Sequence, residues 1–176
     1  MYMKVVIFAI LAFSALAAYP SFPKYTQCDK KWGSEIIGTS QYTICGVGCL
    51  ITSVSSMLNG YGIKIGGQPS NPHTLNQYLK THGGYNNNYW FNWNSLSAFG
   101  FKLLGIQKGA QAGIKSMKAG NVCFLLVEKG KHYVLATGIT STGFTIMDAL
   151  YPRTSYKFEE VVEVSCYART QKTKTN

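Results

Sequence analysis

Hydrophobic positions follow three different patterns along the chain. Near the N-terminus, Val5 to Leu16 is almost wholly apolar, with Lys4 just ahead of it. From Cys49 to Asn59, Leu50, Val54, Met57 and Leu58 recur at helical spacing on one face, and Gly60 and Gly62 then stop the helix. "NPHTLNQYLKTHGG" predicts a second short helix, with Asn71 or Thr74 as its cap and Gly83-Gly84 as its end. The aromatic, Asn-rich "YNNNYWFNWNSLSAFG" reads as an ordered connector into another short helix, from roughly Trp93 to Phe99. "QAGIKSMKAG" reads as one helical turn or a loop.

Farther on, the spacing turns to strands. "NVCFLLVE" predicts a buried strand, "HYVLATGI" and "GFTIMD" a hairpin around Thr140-Ser141-Thr142, and "EEVVEVSCYA" a last strand. Helices first and antiparallel strands afterwards is the order of an α+β domain. The segment "PSFPKYTQCDKKWG" is irregular or extended, because its two prolines block a helix.

The first apolar run reads as a secretory signal. It is shorter than the ~20 residues a membrane span needs, and Ala15-Leu16-Ala17 offers a small-x-small cleavage site. The expected organisation is a signal peptide over 1–17, a single domain over 18–168 and a flexible basic tail over 169–176. The location expected is secreted or extracellular, with no stable membrane insertion.

Five cysteines, Cys28, Cys45, Cys49, Cys123 and Cys166, lie beyond that signal. In an oxidising compartment an odd count leaves one thiol over. Cys28 with Cys45 and Cys123 with Cys166 is the most natural pairing, placing the second bridge between the outer β segments. Four cysteines allow three connectivities, and the sequence leaves the choice open. No spacing suits zinc ligands, so neither metal nor other cofactor is expected. The formal charge of +10 is scattered rather than gathered on one element, which argues against nucleic acid and allows attraction to anionic substrates or cell envelopes.

The chemistry centres on "TICGVGCLITSVSSML". Cys49 opens the predicted helix, where unpaired N–H groups and the helix dipole favour thiolate. Gly46 and Gly48 let the backbone turn tightly and approach a substrate carbonyl. A thiol nucleophile needs a base, and His73, His82 and His132 are the only histidines. His73 and His82 read as surface residues, whereas His132 opens a strand and is mounted rigidly. Asp148 ends the following strand. With the hairpin centred on Thr140 it stands directly opposite His132, on the same face. A one-residue shift of register would separate them.

"QCDKKWG", "TICGVGCLITSVSSMLNGYG", "LNQYLKTHGGY…FNW" and "HYVLATGI…GFTIMDALYP" together resemble the secreted papain-like cysteine peptidases akin to the bacteriocin-processing, double-glycine family. The resemblance spans roughly Phe22 to Pro152. It implies a papain-like fold, a helical half packed against an antiparallel β half. It also implies Cys49 as nucleophile, His132 as general base and acid, Asp148 as orienting residue and Gln27 as the oxyanion-hole amide. Gln41 is the alternative amide. A thiol hydrolase of peptide bonds, acting through an acyl-enzyme, follows from it, and the chain is expected to be a monomer. The same triad cutting cell-wall peptides, or an inactive secreted binding module, are the other readings.

Overall fold

A computed structural model describes residues 19–170. The expected signal peptide lies outside the described residues, as does the tail beyond 170. The chain opens irregularly from Tyr19 to Thr43 and then makes two abutting helices, α1 (Ile44–Val47) and α2 (Cys49–Gly60). A short hairpin, β1 (Lys64–Ile65) with β2 (Gln68–Pro69), leads to α3 (Pro72–Thr81). A second hairpin, β3 (Tyr85–Asn86) with β4 (Trp90–Phe91), precedes a 3₁₀ helix over Trp93–Phe99. The remainder is β5 (Phe101–Lys108), α4 (Gln111–Lys118), β6 (Val122–Val127), β7 (His132–Ile139), β8 (Gly143–Met147), β9 (Ser155–Lys157) and β10 (Glu163–Arg169).

The large sheet has six strands in the order β5-β10-β6-β7-β8-β9, every neighbour antiparallel. Its strands alternate sides at period 2, and both faces are covered. Phe124 and Leu135 join the core under α2 and α3, while Cys123, Leu125, Val134 and Ala136 join a second core under α4. The α+β class holds. Helices and strands are less segregated than the sequence order suggests, because β5 precedes α4 and "QAGIKSMK" makes two full turns across the sheet. β5 alternates inward and outward positions from Phe101 to Ile106, but its residue types do not follow, since Leu104 and Ile106 lie on the exposed side.

Two helices show how local sequence sets their limits. Asn71 accepts from the Thr74 backbone N–H (3.0 Å) while Thr74 Oγ1 accepts from that of Asn71 (3.0 Å), a reciprocal cap, and Pro72 fits the first turn. α2 departs from its expected single apolar face. Leu50 to Leu58 are all buried, including Thr52, Ser53, Ser55 and Ser56. The N-terminal segment covers the side turned away from the sheet, where Ser56 Oγ donates to Pro23 O. Ser55 Oγ donates to Thr52 O at 2.9 Å, so the helix backbone itself satisfies one of these hydroxyls.

Candidate active site

Two disulfides, Cys28–Cys45 and Cys123–Cys166, leave Cys49 as the free thiol. The second bridge is not between outer strands. β10 inserts between β5 and β6, so Cys166 stands directly across from Cys123 near the middle of the sheet.

Cys49 is half-buried at the first residue of α2. α1 does not run on into α2. Gly48 N–H closes the first turn on Ile44 O (2.7 Å), and Thr52 N–H is the first to bond back in the new helix, to Gly48 O (3.0 Å). The N–H groups of Cys49, Leu50 and Ile51 are thereby uncommitted to helix carbonyls. Gly48 is needed at this break because a Cβ there would stand 2.4 Å from Ile44 O and 2.9 Å from Ile44 Cα. Its close approach is to its own chain. Gly46 is less constrained, its nearest neighbour being Thr43 Oγ1 at 3.4 Å.

The carbonyl of Cys45 would receive the Cys49 N–H in a continuous helix. It instead accepts from Gln27 Nε2 at 2.7 Å. Gln27 is 2 % exposed, and its backbone N–H donates to Ala149 O (2.9 Å), so it bridges the helical side to the residue after Asp148. One N–H of its amide remains for another acceptor. Gln41 is exposed on a bend.

His132 (4 % exposed) and Asp148 (1 % exposed) form a buried pair, His132 Nε2 to Asp148 Oδ1 at 2.8 Å. The register that brings them together differs from the expected one. The tight turn runs from Thr140 to Gly143, so the hairpin is centred beyond Thr140. An unbroken ladder from that turn, with Gly138 against Thr145, would carry Asp148 opposite Leu135, on the wrong face. Thr137 is an extra, unpaired residue, and past it Leu135 stands against Met147. One more step puts Asp148 against Val134, on the same face as His132 and diagonal to it. The bulge restores the parity.

The same Asp148 oxygen accepts from the backbone N–H of Leu150 (2.8 Å) and Tyr151 (2.9 Å), so Asp148 is also a strand-end turn residue. Burial pushes its pKa up, but the hydrogen bonds from His132 and those two amides outweigh it, and the net shift is downward. Burial works to strip His132 of its proton, yet hydrogen bonds with Asp148 and with Cys49, and their charges, raise its pKa to about 9. Asp148 holds Nε2, which leaves Nδ1 as the ring nitrogen for the thiol. Tyr151 packs edge-on against the imidazole, ring centroids 5.3 Å apart, and shields the pair from water.

α2 packs on β7, with Ser53 Oγ donating to Tyr133 O at 3.5 Å, and this seats the start of the helix at the His132 end of the strand. A cleft of ≈ 310 Å³ opens beside Cys49, with Val47, Leu50, Trp90 and Leu126 in its walls. A wider, solvent-open hollow of ≈ 600 Å³ lies away from the thiol, among Arg153, Lys157, Glu159 and Glu160. Its charges pair with one another.

His73 binds Glu35 at 2.6 Å and His82 stacks on Tyr78, both exposed and apart from the cleft. The sequence reading missed Tyr151, Trp90 and Lys131, which no spacing links to Cys49. Among the described residues no group of three His, Cys, Asp or Glu is placed to hold a metal ion, and no helix is long and apolar enough to cross a membrane. Comparison with protein families, with curated proteins and with solved structures finds no match.

Proposed function

We propose that the protein is a thiol-dependent hydrolase of amide bonds, with Cys49 as nucleophile, His132 as general acid and base, and Asp148 as the group that orients the imidazole. The observation that carries this reading is a buried histidine–carboxylate pair beside the one free thiol, at the mouth of a cleft. Burying such a pair is costly unless hydrogen bonds compensate it, and the bonds at Asp148 do so while leaving one ring nitrogen for a thiol.

The steps follow from the geometry. The thiolate attacks the carbonyl carbon, and the electron pair moves to oxygen. The Cys49 N–H and the spare amide proton of Gln27 stabilise the oxyanion. His132 gives its proton to the departing amine as the C–N bond breaks, leaving a thioester. It then takes a proton from water, whose oxygen displaces Cys49 and releases the carboxylic acid. A thiol helix packed on an antiparallel sheet that carries histidine and aspartate also supports the papain-like reading of the fold.

The net charge of +10 favours a second reading, the same triad acting on cell-wall peptides of an anionic envelope. The test is iodoacetamide mapping of the oxidised protein together with hydrolysis of a casein digest and of purified peptidoglycan. The expected outcome is alkylation at Cys49 alone, and cleavage abolished by Cys49→Ala. Alkylation without cleavage of either substrate would leave an inactive binding module as the better account. Cys49 found in a disulfide would sink the proposal.

A further inference from the structure

Amide hydrolysis needs a nucleophile, a base and oxyanion donors; it does not need the aromatic wall that stands beside Cys49. Trp90 on β4 is 60 % exposed and lines the cleft, as does Val47, 38 % exposed. Apolar side chains left in water are ordinary when scattered, but these two share one cleft with the free thiol, which points to a binding surface. The wall is built, not stray. Trp90 stacks on Tyr89 (centroids 5.1 Å apart), and Tyr42 meets Tyr89 edge-on at 4.9 Å. Thr39 N–H donates to Asn88 O at 2.9 Å, tying the β3–β4 turn down. Asn87 and Asn88 take positive φ there, a conformation asparagine tolerates better than most residues.

Leu50 and Ile51 from α2 and Leu126 from β6 complete an apolar lining. One charged residue lines the cleft, Lys131, immediately before His132, and no carboxylate does. Among the described residues Lys131 has no acidic partner within ion-pair distance. Tyr133, also in the lining, donates its hydroxyl to Glu163 (3.3 Å) and so offers the cleft no free donor. At ≈ 310 Å³ the cleft sits at the small end of ligand pockets, roughly 300–1,000 Å³, suiting one large side chain with adjoining backbone.

We propose that this cleft is a specificity subsite for a peptide bearing a large apolar side chain, aromatic or long aliphatic, with a neighbouring carboxylate selected by Lys131. The inference rests on the hydrolase reading for the placing of the scissile carbonyl at Cys49.

The test separates binding from turnover. Cys49→Ala protein is titrated with three capped peptides, Ala-Phe-Glu-Ala, Ala-Phe-Lys-Ala and Ala-Ala-Glu-Ala, by isothermal calorimetry at low salt. Ala-Phe-Glu-Ala should bind about twofold to fivefold more tightly than Ala-Phe-Lys-Ala, the size expected of an exposed charge contact. Adding Lys131→Glu should reverse that order, and adding Trp90→Ala should remove most of the advantage of Phe over Ala. Equal affinity for all three, binding of none, or preferences that both substitutions leave unchanged would overturn the subsite. Wild-type protein is then incubated with the same peptides. Selective binding without Cys49-dependent cleavage removes the hydrolase and keeps the subsite; unselective cleavage does the reverse.

Discussion

Burial alone would strip the proton from His132, yet the Asp148 carboxylate at 2.8 Å and the Cys49 thiol hold it on up to about 9. A folded-state value raised above the usual 6.5 contributes stability that is complete below 6.5 and is lost as the pH rises through about 9. Asp148 has the opposite sign. Its contribution is present above the ordinary carboxylate range and is lost as the pH falls through its depressed folded value. If amide cleavage requires the imidazolium, kcat/KM should decline above about pH 9. Asp148→Asn should move that limb to lower pH and cost on the order of tenfold to a thousandfold in kcat. That is less than the loss of about ten-thousand-fold that the matching change causes in a serine enzyme. A limb that stays in place in Asp148→Asn would mean that another group carries the titration.

The break between α1 and α2 is where one element sets up another. Gly48→Ala drives a methyl into the Ile44 backbone, and neither side can yield without shifting the start of the helix that carries Cys49. We expect a loss of about 1–3 kcal/mol in stability, the usual cost of overpacking. Iodoacetamide reactivity should fall with it. Gly46→Ala meets only the Thr43 hydroxyl at 3.4 Å and should leave the melting temperature nearly unchanged. Equal effects of the two substitutions, read by thermal melting, would show that the break is not held by this contact. The bulge at Thr137 works at the same scale, since a single extra residue decides which face of the sheet Asp148 shares.

Across the whole molecule, the two disulfides divide their work. Chain-entropy reasoning assigns about 3 kcal/mol to Cys28–Cys45, which spans 17 residues, and about 4 kcal/mol to Cys123–Cys166, which spans 43. Replacing Cys123 and Cys166 together by Ala should therefore lower the melting temperature more. Replacing Cys28 and Cys45 should cost less stability but more activity, because that bridge anchors the backbone whose carbonyl at residue 45 holds Gln27. Melting curves and peptide-hydrolysis rates on the two double variants check this. Gln27→Ala tests the amide directly, and an undiminished kcat in that variant would remove Gln27 from the oxyanion role. The basic charge acts at this scale too. Association with an anionic peptidoglycan surface should weaken as the salt rises to physiological strength, where the Debye length is about 8 Å.

Much of this was legible in the chain because it rests on local physics. Helical spacing and flanking glycines mark α2, a capping residue and paired glycines mark α3, and apolar runs bounded by turn residues mark β6, β7 and β8. The odd cysteine count leaves one thiol over wherever disulfides form, and the start of a helix is readable from where its pattern begins. Tertiary structure alone decided the rest. β10 comes last in the chain yet lies between β5 and β6, because long-range pairing is not written in any window of residues. The edge strand β5 lacks a readable period, since Leu104 and Ile106 place apolar side chains on its exposed side and mask the alternation of its burial. His132 and Asp148 meet through a bulge whose single unpaired residue leaves no mark on composition or spacing. Trp90 and Lys131 come to Cys49 from parts of the chain more than forty residues and more than eighty residues away, and only folding could bring them to one cleft.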